Sequence, residues 1–157
     1  MSKPDTFSQM YIHVVFAVKG RANVIKETHR EQVQRYITGI VKNRNVQVLA
    51  IYCRPDHIHI LISINPTTLA ADLVRDIKTN TTIFIKEQGI VRNFAWQEGY
   101  GIFTVSHSQK DQVYHYILNQ AEHHRQRSFR EEYLTLLKKN EIEFDERYTF
   151  EWYDEVP

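Results

Sequence analysis

A chain of 157 residues, 42% hydrophobic and 25% charged, is long enough for one domain with a real core and has the balance of an ordinary globular protein. No apolar run approaches a membrane span, the N-terminus lacks a secretory pattern, and a single cysteine, Cys53, excludes an internal disulfide, so the expected setting is the reducing cytoplasm. The net charge of +1 hides an asymmetry: residues 131–157 hold nine acidic and three basic side chains, which leaves ten acidic and 17 basic in residues 1–130, a basic body suited to a polyanion.

Residues 1–8 are polar and are expected to fray. From Gln9 to Val18 apolar residues alternate, which predicts a first strand with Ile12, Val14, Phe16 and Val18 on one face. Lys19-Gly20-Arg21 follows as a basic turn. Residues 28–43 carry Val33, Ile37, Ile40 and Val41 at helical steps of three and four. Val46 to Cys53 predicts a second strand, with Val46, Val48, Ala50 and Tyr52 opposite Gln47, Leu49, Ile51 and Cys53. Cys53, at the end of that apolar run, reads as a core residue.

Arg54-Pro55-Asp56 makes a turn into the central stretch of the chain, His57-Ile58-His59-Ile60-Leu61-Ile62-Ser63-Ile64. The period of two sends the four isoleucines to one face and His57 and His59 together to the other. Histidines two apart on a strand are commonly surface residues. Two imidazoles side by side are also a partial site for a divalent metal.

Asn65-Pro66-Thr67-Thr68 offers a helix N-cap, and Leu69, Leu73, Ile77 and Phe84 mark the apolar stripe of a helix over roughly 68–87 that Gly89 ends. A Gly-punctuated aromatic loop leads to a last strand near 101–106. Strand-helix-strand-strand-helix-strand is the ferredoxin-like order: α+β, a four-stranded antiparallel sheet with two helices on the isoleucine face. The histidine face then needs a cover. Ser108-Gln109-Lys110-Asp111 resembles a capping box opening a helix of about 18 residues. Val113, Tyr114, Ile117, Leu118 and Ala121 read as its apolar side, and Tyr116, Gln120, His123 and Arg127 gather on the other. A short amphipathic run, Phe129 to Leu137, precedes an acidic tail whose aromatics, Phe144, Tyr148, Phe150, Trp152 and Tyr153, must dock on this body or on a partner.

Two histidines on a sheet face, with a tyrosine and a glutamine one helical turn apart above them, make a coherent phosphoryl-transfer site. His57, His59 and the Gln120 amide oxygen supply three metal ligands, and Tyr116 supplies a nucleophile, with Tyr114 as its competitor. His13 shares the histidine face. His123 and His124 read as surface residues. No general base is identifiable, and no Gly-rich phosphate loop, Ser-His-Asp set or CxxC pair occurs.

Three segments carry a family likeness: Tyr11-Ile12-His13-Val14-Val15-Phe16, Pro55-Asp56-His57-Ile58-His59-Ile60-Leu61 and Tyr116-Ile117-Leu118-Asn119-Gln120, with Trp96-Gln97-Glu98-Gly99-Tyr100 as an aromatic turn. On these the sequence resembles the HUH single-strand DNA transposases with one catalytic tyrosine, of the insertion-sequence 200 and 605 type, and their REP-associated relatives. The resemblance implies a transposase domain over 1–130, with 131–157 as an acidic aromatic extension of that domain and the tyrosine helix on the sheet face opposite the other two. It implies Mg²⁺ or Mn²⁺ on His57, His59 and Gln120, attack by Tyr116 to leave a 5′-phosphotyrosine and a free 3′-OH, and rejoining by that 3′-OH. It also implies single-stranded DNA with hairpins at element ends as the partner, and a homodimer whose tyrosine helices complete each other's sites. Lys19, Arg21, Arg54, Arg75 and Lys78 are candidate phosphate contacts from charge and position. Two other readings stand beside this one: a domesticated REP-associated nuclease, and a non-catalytic nucleic-acid module on a ferredoxin-like sheet, which the histidines on the central face disfavour.

Overall fold

The computed structural model of the chain describes residues 5–122 and 127–153; His123, His124 and the ends of the chain lie outside them. Four strands form one antiparallel sheet: β1 (Met10–Ala17), β2 (Gln47–Cys53), β3 (His57–Ile64) and β4 (Gly101–Val105), in the order β2-β3-β1-β4. β1 lies beside β3 with Val14 opposite Ile60 and Phe16 opposite Ile58. Helices α1 (Arg30–Lys42) and α2 (Ala70–Glu87) cover the face of Val14, Phe16, Ile58, Ile60 and Ile62, which are wholly buried. Each such side chain contributes roughly 1.5–3 kcal/mol relative to exposure. This is the ferredoxin-like arrangement expected from the element order. Cys53 is in this core, where burial pushes its thiol up to about 12 and leaves it inert.

Three local readings change. β2 carries a bulge between Val48 and Ala50. The extra residue flips the alternation, so Val46, Val48, Ile51 and Cys53 share the helix-side core while Leu49, Ala50 and Tyr52 face the other way. Asn65 does not cap α2. Its Oδ1 accepts from Thr67 N and from the hydroxyls of Thr67 and Thr68, closing a turn, and Leu69 at the N-cap is 69% exposed. The buried stripe of α2 is Leu73, Val74, Ile77, Thr81 and Ile85, while Phe84 lies outside it and stacks on Tyr36 at 4.0 Å.

Two helices cover the opposite face. α3 (Lys110–Leu118) packs over β2 and β3, and α4 (Phe129–Lys139) lays Phe129, Tyr133 and Leu137 against Val15, Ala17 and Phe103. The expected 18-residue helix stops at Asn119 (φ −97°, ψ 24°), and helical structure resumes over residues 120–122. Ser108 makes no cap; it lies in a 3₁₀ turn, His107–Gln109. The capping side chain is Ser128, which accepts from Glu131 N at the start of α4.

α3 also presents a different face from the one expected. Tyr114 and Leu118 are 37% and 41% exposed, Ala121 is exposed, and the inward side runs through Val113, Tyr116, Ile117 and Gln120. That is an i, i+3, i+4, i+7 stripe in which two polar side chains are turned inward.

The tail docks on this body. Phe150 joins the α4 cluster, and Glu151 is held through its backbone by Gln97, whose Oε1 accepts from Glu151 N at 2.6 Å and whose Nε2 donates to Glu151 O at 2.9 Å. Gly20 N donates to the Tyr153 hydroxyl. Gly101 makes room where Tyr133 crosses β4: a Cβ there would lie 2.7 Å from the Tyr133 hydroxyl and force that side chain to shift.

Candidate active site

The pleat of β3 points His57 and His59 away from α1 and α2, and the covering helices leave both 0% exposed. On β1, Val15 is opposite His59 and Ala17 opposite His57, and His13 is the diagonal neighbour of His59. Each imidazole is held at its Nδ1. His57 Nδ1 is 2.7 Å from Asp56 Oδ1, and His59 Nδ1 is 2.8 Å from His13 Nε2. The Phe129 ring stacks on His57 at 3.8 Å, nearly parallel.

The two Nε2 atoms converge on the carboxylate of Glu132, which α4 carries into the interior at 1% exposure. Glu132 Oε1 is 2.9 Å from His59 Nε2 and 3.6 Å from His57 Nε2. From α3 and the residues after it come the other two groups. Gln120 places Oε1 3.4 Å from His57 Nε2 and donates from Nε2 to Glu132 Oε2 at 3.1 Å. The Tyr116 hydroxyl donates to the same Oε2. Tyr114 points outward against the His115 ring. The sheet pair, Tyr116 and Gln120 therefore meet within one chain, with Glu132 joining them.

Electrostatics follow from this burial. Burial alone would pull the His57 imidazole down, but hydrogen bonds and charge from Asp56 and Glu132 outweigh it and push its pKa up to about 9. Burial, with the neighbouring His59, holds His13 well below the usual range and so neutral. Burial and then the Glu132 charge raise the Tyr116 phenol, so the hydroxyl sits here as a neutral donor.

The donor set suits a divalent cation. Ligand atoms of His57, His59 and Glu132 all lie within 4.8 Å of one another. With Nδ1–H turned to Asp56 and His13, both Nε2 atoms would be available to one bound cation, the arrangement that orients metal-binding imidazoles; without the cation they face the Glu132 carboxylate as donors. Two imidazole nitrogens with carboxylate and amide oxygens are a donor set that can hold a divalent metal ion.

Glu132 escaped sequence reasoning, although one signal pointed to it. Ser128 and Glu131 mark a helix start, and Phe129, Glu132, Tyr133, Leu136 and Leu137 then fall on one stripe in which Glu132 is the lone acid.

The five basic candidates are dispersed. Lys19 and Arg21 follow β1 at the end of the sheet where His57 begins, and Arg54 lies 3.5 Å from Glu27. Arg75 pairs with Asp72 on α2, across the sheet from the histidines. Lys78, half-buried on the same helix, donates to the carbonyls of Gln97 and Gly99 and holds the aromatic turn in place. α2 carries Arg75 and Lys78 on the sheet face opposite the histidine pair, while Arg54 meets His57 through its backbone, its N–H donating to His57 O at 2.8 Å. No helix among the described residues is long and apolar enough to cross a membrane.

The family described as "Transposase IS200 like" matches residues 6–120. The ISDra2 transposase TnpA of Deinococcus radiodurans is 25% identical over 118 residues, 71% of this chain and 84% of that protein. The transposase for insertion sequence element IS200 of Salmonella typhimurium is 28% identical over 116 residues, 70% of this chain and 76% of that protein. The fold is shared with a crystal structure described as a transposase from Deinococcus radiodurans R1 (TM-score 0.60, 20% identity, 76% of this chain and 97% of that one). It is also shared with a REP-associated tyrosine transposase solved bound to a REP hairpin (TM-score 0.58, 15% identity, 79% and 74%). Glu132 and the rest of α4 lie beyond the matched segment. The chain belongs to the IS200-like transposase family.

Proposed function

We propose that this chain cleaves and rejoins single-stranded DNA through a covalent 5′-phosphotyrosine on Tyr116, acting on strands that carry hairpins, with residues 1–130 as the catalytic domain and 131–157 as its extension. The observation that carries the reading is the meeting of the Tyr116 hydroxyl and the Gln120 amide with the His57–His59 pair. A Mg²⁺ or Mn²⁺ ion held by His57, His59 and Gln120, with Glu132 in reach, would polarise the scissile phosphate and offset the charge that builds on it.

The protein's own groups do the rest. Glu132 Oε2 accepts the phenolic proton as the Tyr116 oxygen forms its bond to phosphorus. The P–O3′ bond breaks, the 3′ oxygen leaves with its electron pair and takes a proton from solvent, and the phosphate remains ester-linked to Tyr116. An incoming 3′-OH reverses these steps and returns the tyrosine, so the phosphoester energy is conserved. Glu132 is the proton acceptor that the sequence did not offer. Lys19 and Arg21, at the sheet end where His57 begins, would contact the strand's phosphates.

The test is incubation with labelled single-stranded DNA from the chain's own locus and Mn²⁺, read on a denaturing gel. The wild type and Tyr114→Phe are expected to give a shifted adduct and Tyr116→Phe none. Equal adduct from Tyr116→Phe would overturn the assignment.

A further inference from the structure

A cavity of about 270 Å³ opens between α3 and α4 on the β1–β4 side of the sheet. It borders the site, because Tyr116 and Glu132 form its inner end. We propose that this cavity receives one unpaired nucleobase, that of a nucleotide adjoining the phosphate attacked by Tyr116, and that it sets which base is accepted there. The inference rests on the strand-transfer reading and deepens it.

Position, size and chemistry each support it. A strand whose phosphate lies against the Tyr116 hydroxyl has its next base within one nucleotide of the opening. The volume falls just below the roughly 300 Å³ at which pockets begin to take drug-sized ligands, so it accommodates a single ring system and no base pair. Phe103 and Leu136 supply apolar surface for the face of a base. Three neutral amides, Gln109, Gln112 and Asn140, stand in the polar lining beside hydroxyls and the charged Arg127, Glu132 and Lys139, and an amide both donates to and accepts from base edges. Asn140 uses its Nδ2 on Leu136 O and keeps its oxygen for a ligand. The exposed Gln112 amide makes no hydrogen bond among the described residues, so both its donor and its acceptor are uncommitted. Lys139 at the mouth adds a cation for the attached phosphate. Recognition of a base by stacking and amide contacts requires that base to be out of a duplex, which matches a single-strand substrate.

The experiment uses oligonucleotides in which each of the two positions flanking the cleaved phosphate is in turn dA, dC, dG, dT or abasic, with adduct formation timed in Mn²⁺. At one flank the wild type should discriminate among bases by about tenfold or more, and the abasic strand should be slow. Gln112→Ala should flatten that preference at that flank alone, with thermal midpoint and Mn²⁺ affinity unmoved. Gln112→Glu, an acceptor only, should shift the preference toward bases with a donating exocyclic amine, dA, dC and dG, and away from dT, which has none. A base profile unchanged in both variants, or changed equally at both flanks, overturns the cavity assignment while the adduct itself stands. Absence of any wild-type adduct, or an adduct that survives in Tyr116→Phe, overturns the strand-transfer reading and the cavity assignment with it.

Discussion

His57 and His59 are both held from behind, one by an acid and one by a third imidazole. Asp56 accepts from the Nδ1 of His57, and the Nδ1 of His59 shares a hydrogen bond with His13 Nε2, so both Nε2 atoms face Glu132. Asp56 and Glu132 push the His57 pKa up from its ordinary 6.5 to about 9 despite full burial. A group whose pKa rises on folding contributes its stability in full below about 6.5 and loses it as pH climbs through about 9. The thermal midpoint of the chelator-treated protein should therefore fall across that window. Asp56→Asn should flatten the fall, and an unchanged slope in that variant would count against the account. Glu132 offers a sharper test, because it serves two roles. Glu132→Gln keeps the size and one acceptor but loses the charge and the capacity to take a phenolic proton. Adduct formation should drop by roughly 10²–10⁴-fold. Saturating Mn²⁺ should restore it only if the carboxylate acts solely as a ligand; a defect that persists at saturation identifies the proton acceptor. The histidine pair was legible because period-two alternation needs only local sequence. Glu132 was not, since a buried acid on a late helix acquires meaning only when that helix lies over the pair.

The elements place these groups through two departures from regular pattern. Along α3 and the turn after it, the inward stripe is Val113, Tyr116, Ile117 and Gln120. An apolar-face reading selects Tyr114 and Leu118 instead, because hydrophobic periodicity assumes that a helix turns its polar side to water. Here the sheet beneath is itself polar, with three histidines, and the helix turns a polar edge down to meet it. In β2 the bulge moves Tyr52 and Ala50 to the site face, and no count of alternating residues reveals a bulge. The third positioning element, α4, depends on its cap. Ser128 Oγ accepts from Glu131 N, with Glu132 the next residue. Ser128→Ala should cost about 1 kcal/mol, a fall of roughly 2–4 °C in thermal midpoint for a chain of this size. It should also weaken Mn²⁺ binding, because the carboxylate rides on the first turn. A stability loss with unaltered Mn²⁺ affinity would show that packing of Phe129 and Tyr133 alone holds Glu132 in place.

At the scale of the whole molecule, the chain closes on its own site. Phe150 and Trp152 pack on Phe129 and Tyr133, Gln97 clasps the backbone of Glu151, and Tyr153 reaches Gly20, so the aromatic tail reinforces the helix that delivers Glu132. Single-chain geometry bears directly on the homodimer with exchanged tyrosine helices that the family likeness implies. Only residues 106–109 link β4 to α3, and Tyr116 already bonds Glu132 beside its own chain's histidines. A site assembled in cis is the outcome that this contact predicts. Mixing two inactive variants decides the matter: Tyr116→Phe lacks the nucleophile, and His57→Ala with His59→Ala lacks the imidazoles. If each chain completes its own site, the mixture should form no adduct above the sum of its parts at any protein concentration. If helices exchange, a mixed dimer contains one site with an intact tyrosine and an intact histidine pair. Adduct should then recover toward about one quarter of wild type, the fraction set by random pairing and one working site in two. Recovery that rises with concentration would establish an assembled dimer as the active species and place the Tyr116–Glu132 contact in a resting arrangement.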